Sequence, residues 1–353
     1  MRIAIIAPPF IPVPPVAYGG TELFVAQLAE GLADRGHNVT VYANGASRVR
    51  CEVRWLYEAG DWPPVDPAAA QLKNADHTAW ALRDAAQTAD VVHLNDVVGL
   101  PCTRFVDVPV VLTMHHPHEP ALSAMYERYE RVQYVAISDA QARREPMAQI
   151  AVVHHGLRID DYPFTDNKED YLAFLGRLAP CKGAHAAIAV AQQAGLRLKL
   201  AGEVQPMYEQ YWRERVLPHI DGDQIQYLGE ADHALKKDVL SGARALLFPI
   251  EWEEPFGLVM IEALACGTPV LAFGGGAVAE IVRGGVSGWI CRDVTEMAGR
   301  AASPGISPHS CRAWASTHFS RERMVDRYID VYHRARSGRD YAMPREAVGL
   351  WKT

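Results

Sequence analysis

The sequence predicts an α/β protein of two doubly wound, parallel-sheet (Rossmann-like) domains that face a central cleft. Three observations carry this. Short apolar strands alternate with amphipathic helices along the chain, which is the pattern of βα units and parallel sheets. The 353 residues are too many for one ordinary core and suit two. A polar stretch around Asp160–Asp170 holds few apolar residues that could cross a shared core, so it marks the boundary. The expected division is residues 1–160 and 161–320, followed by a C-terminal segment.

The elements follow in order. Ile3–Ala7 reads as a short buried strand. Residues 21–35 read as a helix, with Val25, Leu28 and Leu32 on one face and Gly36 as its stop. Strands follow at Val39–Tyr42, Val91–Leu94, Val110–Thr113 and Tyr134–Ile137, the last leading to a helix capped by Ser138. Residues 55–90 are less regular and include Trp62-Pro63-Pro64. In the second half, Tyr171–Leu175, Leu196–Leu200, Ile225–Leu228, Ala245–Pro249 and Pro269–Phe273 read as strands with helices between them. Ligands of such sheets bind at the carboxyl ends of the strands, and two facing edges make one cleft.

Composition narrows the function. Hydrophobic residues make up 49% and charged residues 22%, so both domains can bury a core. The net charge is −7, and acidic side chains outnumber basic ones by about eleven to seven in the first hundred residues. That balance disfavours a nucleic-acid surface and supplies no polybasic patch for anionic lipid. Six scattered cysteines form no CxxC pair, which reads as inert thiols in a reducing cytosol rather than a metal or redox site. Prolines at 8, 9, 12, 14 and 15 interrupt the apolar N-terminus, and no run approaches the ~18–20 apolar residues of a membrane span. The expected location is cytoplasmic. The oligomeric state is not legible.

Five segments carry chemistry. Gly19-Gly20-Thr21-Glu22 joins the first strand to the first helix, where glycines let a diphosphate approach free amides; an ordinary βα turn reads the same way. His115 and His116 follow a strand end, where an imidazole can orient a sugar, donate to a hydroxyl or shuttle a proton. Gly176-Arg177-Leu178 with Lys182-Gly183 puts two cations beside a helix start, a clamp for the charge that grows on a leaving diphosphate. Glu251-Trp252-Glu253-Glu254-Pro255-Phe256-Gly257 runs into a helix carrying Glu262. Glu254 in the loop and Glu262 in the helix are placed to bind different parts of a long hydroxyl-bearing ligand. Gly274-Gly275-Gly276 with Glu280 reads as another phosphate-facing turn, or as a plain flexible one.

In this order the segments resemble the family-4 glycosyltransferases of the GT-B fold. The specific pieces are Phe174-Leu175-Gly176-Arg177-Leu178 with Lys182-Gly183, and Glu254-Pro255-Phe256-Gly257-Leu258 through Glu262-Ala263-Leu264-Ala265. Gly267-Thr268-Pro269-Val270 and Gly275-Gly276 through Glu280-Ile281-Val282 complete the string. The resemblance implies a retaining hexosyltransferase that uses a nucleotide-diphosphate sugar (UDP-, GDP-, ADP- or dTDP-linked) and requires no metal or other cofactor. It implies that Gly19 and Gly20 approach the phosphates, that His115 of Thr113-Met114-His115 faces the sugar, and that Arg177 and Lys182 hold the diphosphate. Glu254 would face the transferred sugar and Glu262 the ribose, with the amides of Phe256, Gly257 and Leu258 on sugar or phosphate. The final helix, within about 321–353, would pack back onto the first domain. The acceptor region, roughly 45–100, matches no acceptor class, so a glycan, a small molecule or a lipid-linked saccharide all remain. A nucleotide-sugar epimerase on the same fold and a non-catalytic nucleotide-sugar-binding protein are the alternatives.

Overall fold

The structure is a computed structural model that describes residues 1–17, 19–147 and 149–338; residues 339–353, within the segment expected to form the final helix, lie outside it. Two all-parallel sheets organise the chain. The first contains β1 (Arg2–Ile6), β2 (Asn38–Tyr42), β3 (Glu52–Arg54), β4 (Val91–Leu94), β5 (Val110–Met114), β6 (Val132–Ala136) and β7 (Ile150–Val152), in the order β3-β2-β1-β4-β5-β6-β7. The second contains β8 (Tyr171–Leu175), β9 (Arg197–Ala201), β10 (Ile225–Tyr227), β11 (Ala245–Phe248), β12 (Val270–Phe273) and β13 (Gly288–Cys291), in the order β10-β9-β8-β11-β12-β13. The order reverses between β1 and β4 and between β8 and β11. Crevices open at these switch points, at the carboxyl ends of the strands.

Central strands such as Val110–Met114 and Tyr171–Leu175 are buried at every position, as helices on both faces require. The expected strands fall within one or two residues of those observed. Three strands were missed, β3, β7 and β13, and each is a sheet edge. β3 is polar, β7 is a run of only three residues, and β13 mixes buried and exposed positions, so none carries the signal of a central strand. The irregular stretch 55–90 contains a 19-residue helix, Pro67–Ala85, whose buried positions are Asn74, His77, Thr78, Ala81, Leu82 and Ala85. A buried stripe of small and polar side chains hides its period. Asp66, which accepts from the amides of Ala68 and Ala69, and Pro67 at the first turn are the start signal that reveals it.

The helix Arg321–Ser337 returns to the first sheet. It buries Met324, Val325, Tyr328, Val331 and Tyr332 against Phe24, Val25 and Leu28, and apolar side chains of this size contribute about 1.5–3 kcal/mol each when fully buried. Its polar tips are satisfied inside the core. Tyr332 Oη meets His93 Nδ1 at 2.8 Å, Tyr328 Oη meets Thr113 Oγ1 at 2.9 Å, and Thr113 Oγ1 meets His93 Nε2 at 2.7 Å. All six cysteines are unpaired, and Cys266, Cys291 and Cys311 are buried. No described helix is long and apolar enough to cross a membrane.

Candidate active site

A cavity of about 330 Å³ lies between the two sheets and is lined from both. From the first come Gly19, Gly20 and His115; from the second come Arg177, Lys182, Glu254, Phe256, Gly257, Leu258 and Glu262. The structure therefore gathers these ten expected residues on one cavity, while His116, Gly274, Gly275, Gly276 and Glu280 lie outside its lining.

Helix starts explain part of this. The helices beginning at Gly20 and Leu258 are preceded by Gly19 and Gly257, and neither is capped by a side chain. Asp66, Ser138, Asp232, Asp293 and Ser320 cap other helices, while those starting at Pro120 and Pro308 also lack a side-chain cap. Free amides at a helix N-terminus, reinforced by its dipole, favour an anion. Gly183 adds a constraint. Its φ is +74°, and a Cβ there would lie 1.9 Å from the Pro249 carbonyl oxygen, so only glycine lets the Lys182 turn close against the end of β11.

The charged groups are paired in advance. Lys182 Nζ lies 2.5 Å from a Glu254 oxygen and 4.4 Å from the Trp252 ring centre, and the Trp252 indole N–H donates to the same Glu254 oxygen at 2.8 Å. Glu262 accepts from Lys236 Nζ at 2.5 Å and from Tyr162 Oη at 3.1 Å. Both glutamates are buried, at 6% and 2% exposure, so these partners offset most of the cost of burying their carboxylates. Arg177 lies near enough to Glu203 to favour its ionised form, against the burial that pushes Glu203 up.

His115 is restricted more than its sequence context suggested. Asn95 Nδ2 donates to the Ile6 carbonyl at 3.1 Å, which turns Asn95 Oδ1 toward His115 Nε2 at 3.0 Å. His115 therefore carries its proton on Nε2 and presents Nδ1 as an acceptor. Burial, then the neighbouring His116, pushes its pKa down to about 3. A proton-shuttle role is disfavoured; accepting a hydroxyl proton in a hydrogen bond is what remains. His116 turns away to Tyr126 and the Pro117 carbonyl.

The reading of Gly274-Gly275-Gly276 and Glu280 as a phosphate-facing turn is corrected. These residues do not line the cavity. Gly275 and Gly276 pack on the backbone of the 252–254 loop, where a Cβ on Gly276 would lie 2.1 Å from the Glu254 carbonyl oxygen. Glu280 instead spans the domains: it accepts from the amides of Asp139 and Ala140 at 2.8 and 2.7 Å and meets His154 Nε2 at 2.8 Å. Burial opposes its ionisation, but His154 and the two amides outweigh it and hold the carboxyl below the usual range. Ligand atoms of Asp139, His154 and Glu280 lie within 4.8 Å of one another, a metal-like spacing already used by this contact between domains.

Several cavity residues escaped the sequence. His155 is buried, stacks on His115 with ring centres 5.6 Å apart, and has no partner at Nδ1. Lys236 and His233 stand on the helix His233–Gly242, three residues apart and so on one face. The His154-His155 pair after β7 was the available signal for the first. For the other two, the i, i+3 spacing means little until the helix is placed.

Comparisons with known proteins agree with this geometry. Residues 18–160 match the family described as Glycosyltransferase Family 4, and residues 159–301 match Glycosyl transferases group 1. A glycogen synthase of Mycobacterium tuberculosis is 27% identical, with 94% of this chain and 95% of that protein covered. A D-inositol 3-phosphate glycosyltransferase of Mycobacterium avium is 26% identical over 94% of this chain and 92% of its own length. Among solved structures, a glycosyltransferase involved in avilamycin A biosynthesis superposes with a TM-score of 0.76 at 26% identity, covering 96% of this chain and 98% of that one. Two facing parallel sheets, a cleft built from both, and family matches that together run from residue 18 to residue 301 lead to one conclusion: the chain belongs to the family-4 glycosyltransferases of the GT-B fold, and it is a transferase enzyme.

Proposed function

We propose that the chain is a retaining transferase that moves a hexose-type sugar from a nucleotide-diphosphate sugar to a hydroxyl acceptor. The observation that carries this reading is the convergence of Arg177, Lys182 and two uncapped helix N-termini on one cavity beside Glu254. That is a seat for an anion next to a hydroxyl-binding carboxylate. Relatives acting on several acceptors favour a transferase over an epimerase or a silent binding protein.

In this reading the bond between the sugar's anomeric carbon and the diphosphate oxygen breaks, and its electron pair leaves on the phosphate. The acceptor hydroxyl bonds to the same face of that carbon and passes its proton to the departing oxygen. Arg177 and Lys182 stabilise the growing charge. Glu254 and His115 Nδ1 accept from sugar hydroxyls, and Glu262 accepts from the ribose. Contacts between the domains exclude water that would otherwise hydrolyse the donor.

The test is a thermal-shift screen of UDP, GDP, ADP and dTDP and their common sugars. Ligand at one hundred times its dissociation constant adds about 2.7 kcal/mol of stability. One nucleotide sugar should raise the melting temperature clearly, and mass spectrometry with that donor should then show sugar transferred with retained configuration. No shift with any of them refutes the reading.

A further inference from the structure

A second cavity of about 260 Å³ adjoins the first and shares Gly20 and Thr21 with it. Its other walls include Phe10, Glu22, Trp62 and Asp96. The wall residues hold no Lys, Arg or His. Lys73, the one Lys or Arg between residues 55 and 82, is taken up elsewhere by Asp61 at 2.7 Å and by the Tyr57 ring at 4.9 Å.

Two carboxyl groups and an indole make a particular chemistry. Asp96 is fixed by the Asn74 amide at 3.0 Å and the Val98 amide at 2.8 Å. Glu22 is 6% exposed, so the cavity wall rather than bulk water surrounds it. Trp62 is 41% exposed and near enough to Glu203 of the opposite domain, which lines the first cavity, to favour the ionised carboxyl. Trp62 lines the second cavity and Glu203 the first, so their contact lies where the two cavities adjoin. Sugars and polyols offer apolar C–H faces to an aromatic ring and hydroxyl donors to carboxyl oxygens. A phosphate offers neither; the helix start at Gly20 is the one positive feature of this wall, and it faces two acidic groups with no cation to replace the lost hydration.

Resting on the transferase reading above, we propose that this cavity is the acceptor subsite and that it selects an uncharged sugar or polyol, excluding phosphorylated acceptors. Trp62 is the stacking platform, Asp96 and Glu22 receive the acceptor's hydroxyls, and the reacting hydroxyl enters the donor cavity past Gly20 and Thr21.

The test uses the full chain, loaded with whichever nucleotide sugar the thermal screen identifies, and matched acceptor pairs: glucose with glucose 6-phosphate, and myo-inositol with myo-inositol 1-phosphate. The neutral member should be used with a kcat/KM at least about tenfold above its phosphorylated partner. Asp96→Asn keeps the amide contact to Val98 and should narrow that ratio, as should Glu22→Gln. Trp62→Ala should raise the acceptor KM, while nucleotide binding measured by the same thermal shift persists. Preference for the phosphorylated members overturns the proposal. So does a ratio indifferent to Asp96→Asn and Glu22→Gln, or a chain that binds nucleotide sugar yet turns over no neutral acceptor. A chain that binds no nucleotide refutes the transferase reading beneath it, and the thermal shift separates the two failures.

Discussion

Glu22 stands in the first turn of the helix that begins at Gly20, and burial pushes its carboxyl up to about 7 from an ordinary 4.5. Its own amide partly opposes this and the Asp96 charge adds to it. Between those two pH values the folded protein holds a proton that the unfolded chain has released. Stability therefore falls as pH rises through this window, and the loss is complete above about 7. At about 1.4 kcal/mol per pH unit the total is about 3 kcal/mol. Glu22→Gln replaces the neutral acid by a neutral amide of the same shape and removes that loss. The two proteins should be nearly equal in stability near pH 4.5. They should diverge steadily to pH 7, with the variant ahead by about 3 kcal/mol at pH 8. For a domain of this size that is about 6–12 °C in the melting transition. Thermal and urea unfolding of both proteins at half-unit steps from pH 4.5 to 8.5 reads the difference directly. A gap independent of pH, or a wild-type protein that is the more stable at pH 8, would refute the view that burial governs this carboxyl.

Other substitutions probe the site and its scaffold. Lys182→Ala should lower turnover on the order of 10²–10³-fold, and unchanged kcat with the identified donor would remove Lys182 from the clamp. Gly183→Ala forces a side chain to φ +74° and into the Pro249 carbonyl; it should destabilise the second domain by more than about 1 kcal/mol, visible in the denaturant midpoint. Glu280→Gln weakens charged hydrogen bonds between the domains, at about 1–3 kcal/mol. Because the Glu280 carboxyl is held below 4.5, the wild-type advantage should be full above that pH and disappear as pH falls below it. Hydrogen exchange at Asp139 and Ala140 is the readout, and equal protection in both proteins at pH 7 would contradict the contact.

Much of the cavity lining was legible because its signals are local. Arg177 and Glu254 follow the ends of β8 and β11 by two and six residues, and strand ends can be read from apolar runs, while Gly19-Gly20 marks the start of the first helix. What stayed hidden depends on distant elements meeting. Glu280 looks like part of a glycine turn until the domains close and its carboxyl finds the amides of Asp139 and Ala140, 140 positions away. Lys236 looks like a surface lysine until its helix lies beside Glu262. The tautomer of His115 follows from Asn95, which reaches it because β4 and β5 pair in register. The edge strands and the Pro67–Ala85 helix were obscured for a different reason: their buried faces are short, small or polar, so burial leaves little trace in hydropathy.

The two lysine–glutamate pairs give the cleft its logic. Lys182 with Glu254 and Lys236 with Glu262 place opposite charges side by side on largely buried side chains. An unpaired charge at either position would be costly to bury, so each residue keeps its partner in place. A diphosphate entering beside Lys182 can share that lysine without displacing Glu254, since an ammonium has three donors and the Trp252 indole N–H continues to hold the carboxylate. In the proposed function, donor binding adds negative charge to a site whose positive groups are already oriented, with little reorganisation left for the reaction itself. The same argument accounts for the uncapped helix starts at Gly20 and Leu258. A side-chain cap would stabilise the empty protein by about 1 kcal/mol, but it would occupy the amides that the proposed donor's phosphates would reach.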